Sequence, residues 1–270
     1  MGIIFANVMA IYRKELQSYF VSPLAYAIAG VFWLIAGIFL VAMLLGPEGI
    51  IQQVAMMDVQ GQQMNIPIPA IDVAYQFLQN FLAIMGNLSL FVLPILSMGL
   101  YAEERKRGTL ELLATSPITN WAVATGKLLG VVTFFIAMVL PLLALEAIAL
   151  TASNPPLPLT VPLLGHLGLI LLGAAVLSLG MFVSSLTDST ILSAVLTFSL
   201  VLFLWIIDVV ANNVGGVLGD ALEHLSLLKH YSTLIRGQLD PSSLILFASY
   251  VVLGIFLTAQ SIDALRFQRS

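Results

Sequence analysis

Six stretches of this 270-residue chain, at about 24–45, 78–100, 128–150, 163–186, 190–210 and 243–262, run almost free of charge. A helix rises about 1.5 Å per residue and the hydrocarbon core of a bilayer is about 30 Å thick, so roughly twenty apolar residues make one crossing. Only Glu146 and Asp208 interrupt the runs, each near an end, and Asp263 lies just beyond the last. Lipid offers no hydrogen bonds to the backbone, so each run must be a helix. Alternation of period two, the mark of a membrane β-barrel, is absent. The predicted fold is an all-α integral membrane protein with six transmembrane helices. Composition agrees: charged residues make up 9% of the chain, against about 25% in a soluble domain.

Orientation follows from the basic residues. With six spans, Arg13, Lys14, Arg105, Lys106, Arg107, Lys127, Arg266 and Arg269 share one side, and only Lys229 and Arg236 fall opposite. The positive side is cytoplasmic, so both termini are expected inside, in a plasma (inner) membrane. The N-terminal stretch does not read as a secretory signal, because the run from Leu24 to Leu45 exceeds the ~7–15 residues of a signal's apolar region. Segment 4–20 is amphipathic: Phe5, Val8, Tyr12, Leu16 and Tyr19 are apolar, while Arg13, Lys14, Glu15 and Gln17 are polar. It reads as an N-terminal interfacial helix that breaks at Pro23. On the outer side, Leu218, Leu222, Leu225 and Leu228 make an apolar stripe. That suggests short outer helices before the last span forming an outer gate, with a plain surface loop as the alternative.

The segment after the second span is distinctive. Glu103, Glu104, Arg105, Lys106, Arg107 and Glu111 crowd together, and Leu110, Leu112 and Leu113 add apolar surface. Glu103 and Arg107 stand at the favourable i,i+4 spacing. The expectation is a short charged helix, a bend at Gly108, and a leucine-rich turn at the membrane face. Positive-inside anchoring explains the basic residues. It does not explain two adjacent carboxylates and a second apolar element.

Here the chain resembles the ABC-2 type permeases, membrane subunits of ATP-binding-cassette transporters. The resemblance rests on Glu103-Glu104-Arg105, Gly108-Thr109-Leu110-Glu111-Leu112-Leu113, Thr115, Pro117 and then Gly126-Lys127. Ser184-Ser185-Leu186-Thr187, Leu204-Trp205, Ser226 to His230 and Arg236-Gly237 look like its gliding-motility and nitrous-oxide-accessory branch. That branch often has Phe-Glu-Pro-Phe after the histidine, where this chain has Tyr231-Ser232-Thr233-Leu234. The resemblance implies one permease domain over 1–270, energised by a separate ABC ATPase subunit, mostly for export. It implies pairing with a second copy or a related permease, and a cytoplasmic coupling helix formed by Glu103, Glu104, Arg105, Arg107, Gly108, Thr109, Leu110, Glu111, Leu112 and Leu113. Gly173, Ala174, Ala175 and Gly180 would allow close helix contacts at the pairing surface.

Several chemistries are excluded or weak. Gly126-Lys127 has Trp121 in place of the first glycine of a phosphate-binding loop and Leu128 in place of its Ser or Thr. ATP and Mg are therefore expected in the partner, no cofactor on this chain, and no enzymatic activity of its own. The absence of cysteine removes thiolate sites, and no His-Glu-x-x-His pair marks zinc. Met56, Met57, Met64 and the outer histidines offer soft ligands for Cu(I), but methionine is ordinary packing filler, and no metal is expected. No basic run suits nucleic acid; the lipid bilayer is the partner. Glu146 reads as snorkelling outward, with a functional role as the alternative, and His166 as an interfacial side chain. An ion-coupled secondary transporter should show mid-membrane charge, and a membrane enzyme paired acid and base groups; neither pattern is evident. The six-span reading predicts that reporter fusions at Gln60 and Pro156 lie outside and one at Arg107 inside; one fusion on the wrong side would break the topology.

Overall fold

The computed structural model describes residues 2–64, 72–110, 118–151, 153, 157–214 and 216–267. Among them it is helical throughout, with no strand. In chain order the helices are α1 (Gly2–Val21), α2 (Pro23–Leu45), α3 (Ile50–Met64), α4 (Val73–Ser97), α5 (Ala102–Lys106), α6 (Asn120–Thr151), α7 (Thr160–Leu186), α8 (Thr190–Asn213), α9 (Gly216–Leu225), α10 (Leu227–Ile235) and α11 (Pro241–Phe267). Six of these, α2, α4, α6, α7, α8 and α11, are long and apolar enough to cross a membrane. The protein is an all-helical integral membrane protein.

Local chemistry sets the breaks. Ser22 caps α2 by accepting from Ala25 N–H, and Pro23 takes the first helical position, where its missing N–H costs nothing. Asp72 caps α4 through Tyr75 N–H at 3.0 Å, and Ser189 caps α8 through Leu192 N–H. The spans run beyond their apolar cores. α4 begins at Val73 and α6 at Asn120, because a helix continues into the interface until a cap or a proline stops it. The hydrophobic pattern did not reveal α3. It is rich in Gln and Met, which favour helix without periodicity, and none of its residues is buried.

α7 is the hub. Of its most apolar eighteen residues 72% are buried, against 17% for α8. Small residues let its neighbours close in. A Cβ on Gly173 would lie 2.4 Å from the Phe135 ring of α6, and one on Gly180 would lie 2.1 Å from Ser97 Oγ of α4. The small residues expected to serve a pairing surface are therefore used inside the chain. On α11, a Cβ on Gly254 would come within 2.6 Å of the Ser178 backbone of α7. Elsewhere polar groups join the spans. Trp33 donates to Met138 O at 2.7 Å, in the turn of α6 that Pro141 loosens. Asn120 donates to Asp263 at 2.6 Å, tying α6 to α11.

Gly254→Ala should lower the detergent melting temperature, by the ~1–3 kcal/mol that overpacking costs. Gly30→Ala, with nothing within 4 Å of its Cβ, should not. Equal melting of the two variants would refute the α7–α11 crossing.

Candidate functional site: a charged joint after the second span

α1 lies against α6, and two glycines of α6 permit it. A Cβ on Gly126 would sit 2.8 Å from Ile11 Cβ, and one on Gly130 would sit 2.7 Å from Glu15 Cβ. This close approach carries Glu15 to Lys127, which is only 2% exposed. The ammonium of Lys127 uses all three donors: Glu15 Oε1 at 2.8 Å, Glu104 Oε1 at 2.9 Å and Leu100 O at 2.8 Å. Its fourth side faces the Tyr101 ring, 5.0 Å from the centroid. Lys14 approaches Glu104 at 3.5 Å from the open side. Two ammonium groups thus balance two carboxylates, and one chain segment each from α1, the α4–α5 corner and α6 meets at Lys127. Tyr19 adds a second link from α1, donating to Leu96 O at 2.7 Å. Burial first, then the carboxylates of Glu15 and Glu103, hold its phenol well above the usual range, so it remains a donor.

The same corner is tied to α7. Ser184 Oγ accepts from Tyr101 N–H and Ala102 N–H, both at 3.0 Å, and donates to Met98 O at 2.8 Å. One hydroxyl thus satisfies the otherwise unpaired N–H groups that open α5. Arg105 donates to Ser185 O at 2.9 Å, placing a cation at the C-terminal end of α7, where the helix dipole favours it. α5 is closed off two residues past its end by Gly108, whose φ of +70° belongs to the left-handed region. Thr109 N–H reaches Glu104 O at 3.0 Å and Gly108 N–H reaches Arg105 O at 3.1 Å, the paired hydrogen bonds of a glycine-terminated helix. The bend expected at Gly108 is present.

The geometry sorts the residues that sequence reading had grouped. Glu104 and Arg105 turn inward, and Leu110 is buried. Glu103, Lys106, Arg107, Gly108 and Thr109 face out, with Glu103 and Arg107 paired at 3.5 Å. Glu111, Leu112 and Leu113 lie outside the described residues. Glu15 and Lys127 were missed. A signal existed for Glu15, which shares the helical face of Val8, Tyr12 and Tyr19; nothing in the sequence marks Lys127 as buried rather than anchoring.

On the opposite side the apolar stripe lies elsewhere than expected. Leu225 is exposed, Leu222 and Leu228 are half-buried, and the Leu218 side chain is not among those described. A break falls at Ser226, which caps α10 through Lys229 N–H at 3.0 Å and hydrogen-bonds Asp208. The buried face of α10 is Leu227, Tyr231, Leu234 and Ile235. Tyr231 slots between Gly86 and Gly168, and its hydroxyl donates to Leu82 O at 2.5 Å. His230 Nδ1 lies 2.9 Å from Ser243 Oγ, and burial holds its imidazole below the usual pKa range.

Two readings need correction. Glu146 does not snorkel: it is 0% exposed. His166 is not interfacial but 3% exposed, with Nδ1 3.7 Å from Glu146 Oε2 and 2.9 Å from Pro162 O. Among the described residues, neither Glu146 oxygen nor His166 Nε2 has a hydrogen-bond partner. Sequence position places Glu146 near a helix end, but the rotation of α6 turns it inward. Among the described residues no three His, Asp or Glu side chains gather as a metal site.

Residues 9–268 match the family described as ABC-2 family transporter protein. The chain belongs to the ABC-2 transporter family. No curated protein matches it in sequence. Members of the ABC-2 family are membrane components of transport, and membership implies association with an ABC ATPase. The match reaches the family and not the gliding-motility branch.

Lys127→Met should cost ~3–5 kcal/mol, because Glu15 and Glu104 would be left as uncompensated neighbours. Glu104→Gln should cost less, since Lys127 keeps Glu15. Thermal unfolding of the purified ABC-2 protein measures both; an unaltered Lys127→Met melt would deny the joint its structural role.

Proposed function

We propose that this chain is the membrane-spanning subunit of an ATP-driven exporter, and that a separate ATPase grips the outward edge of α5. The observation that carries this reading is the joint: α5 is fixed to α1, α6 and α7 by Lys127, Ser184 and Arg105, yet it presents Glu103, Lys106, Arg107, Gly108 and Thr109 to solvent. A force on that edge passes to four elements together, as expected when packed helices shift as units. Charge orients such a contact, with Glu111 adding to it, and Leu112 and Leu113 supply apolar area. Glu104 and Arg105 serve as positioning residues within the coupling set.

In this reading residues 1–270 form one permease domain, with both termini and α5 on the cytoplasmic face of the plasma membrane. The chain works beside a second copy or a related permease, and ATP and Mg are bound by the partner. Leu218, Leu222, Leu225 and Leu228, with the inserted α10, shield the outer exit. A second reading, an ion-coupled transporter, draws on the buried Glu146–His166 pair.

Charge reversal separates these readings. Glu104→Lys is a poor probe, because it sets a third ammonium against Lys127. Glu103→Lys combined with Arg107→Glu leaves the joint untouched. In the reconstituted complex it should reduce permease-dependent ATP turnover on the order of tenfold, while the melting temperature of the permease stays within a few degrees. Turnover equal to the parent would remove α5 as the docking edge, and transport without any ATPase would favour ion coupling.

A further inference from the structure

Among the described residues, the exposed face of α4 differs from that of every other span. It carries Gln76, Asn80, Asn87, Phe91 and Ile95. On α2, α6, α7, α8 and α11, exposed positions away from the helix ends are apolar or are serines bonded to their own helix. Ser199 donates to Val195 O at 2.8 Å and Ser249 to Ile245 O at 2.7 Å. Asn87 stands near the middle of α4, about 15 Å from the nearer end with a rise of about 1.5 Å per residue. Its short side chain cannot reach the interface from there. Among the described residues, neither its amide nor that of Asn80 has a hydrogen-bond partner. An amide group has two N–H donors and an acceptor, and lipid answers none of them. The face is therefore covered by something that hydrogen-bonds.

The pattern selects a helix over water. Gln76, Asn80, Ala83 and Asn87 stand four, three and four residues apart, the spacing of a seam between two helices that cross at a shallow angle. Toward α5 the same face continues as Phe91 and Ile95, which a helix contact buries and a water-filled wall leaves wet. Phe91 also lies against Phe198 of α8, with ring centroids 5.4 Å apart, so apolar surface borders the amides. The stripe holds no charge, and an amide both donates and accepts, so the stripe complements itself. Two copies of one chain enter the membrane in the same orientation. A two-fold axis along the membrane normal then sets each residue near it opposite its own counterpart, at the same depth. We infer that α4 pairs with α4 of a second copy, through amide–amide hydrogen bonds at Asn80 and Asn87 and packing of Ala83 and Phe91. The pairing rests on the reading of the chain as a permease, and it makes the second subunit an identical copy.

The chain has no cysteine, so single cysteines report the contact. Ala83→Cys leaves both asparagines in place. Val252→Cys marks an exposed position on α11, which packs against α7 and α6. The measurement is oxidative cross-linking of the full-length chain in liposomes at graded protein-to-lipid ratios. Ala83→Cys should give a covalent dimer and Val252→Cys should not. Adding Asn87→Leu to Ala83→Cys should demand on the order of tenfold more protein per lipid for half cross-linking, the loss of one amide pair. Asn87 has no partner in its own chain, so the melting temperature of the Asn87→Leu protein should stay at the parent's; if it falls, Ala83→Cys alone decides. Absence of a dimer through Ala83→Cys overturns the pairing, whether or not one forms through Val252→Cys. An unchanged protein demand in a folded Asn87→Leu chain overturns it too, as does labelling of Asn87→Cys by a membrane-impermeant maleimide, the mark of a water-filled face. Permease-dependent ATP turnover of the unaltered chain is read separately, so the pairing can fail while the permease reading stands.

Discussion

One buried ammonium organises the end of this bundle that bears α5. In a chain so poor in charge, an unpaired Lys127 would cost several kcal/mol after relaxation. The cost is met only when Glu15, Glu104 and the Leu100 carbonyl all arrive. Their arrival fixes where α1 lies, how α4 turns into α5, and how α6 begins. Other details follow as requirements of that meeting. Gly126 and Gly130 must be small for α1 to approach, and Tyr101 must close the remaining side. Ser184 and Arg105 then extend the fixed block to α7, the hub of the spans.

The other side of the bundle is held differently. α10 is seated by shape, with Tyr231 between two glycines and one hydroxyl on a backbone carbonyl. Polar contacts add to this: Ser226 to Asp208, His230 to Ser243, the Tyr75 hydroxyl to Arg236 O at 2.8 Å, and the Lys229–Glu223 ion pair. Close by, Glu146 and His166 are buried with polar atoms that have no hydrogen-bond partner among the described residues, a costly arrangement in a low-dielectric interior. The bundle is thus tied by charge at one end and seated mainly by shape at the other.

The spans were legible because bilayer thickness imposes a length that composition reveals directly. The helix break at Pro23 and the bend at Gly108 were legible for the same kind of reason: each residue type leaves few backbone choices. Facing was harder to read. Glu15, Glu104 and Glu146 all point inward, and the sign of a charge says nothing about which way a helix is rotated. Only partners on other helices decide that, and Lys127 lies 112 residues from Glu15. The short outer helices were legible, but the leucine stripe did not tell which face is buried, because Ser226 divides it between two helices and resets the register at Leu227. The small residues of α7 read as a pairing surface, but Phe135 and Ser97 already fill them.

The central claim is that α1, α5, α6 and α7 move as one body when the partner acts. Spin labels at Arg13 on α1 and Leu186 at the end of α7, both exposed, read the distance across the joint. Pulsed electron–electron resonance on the permease–ATPase complex in nanodiscs, with and without ATP, measures it directly. The account predicts one narrow distance distribution, unchanged by nucleotide. A shift of several ångströms, or a second population on adding ATP, would contradict it.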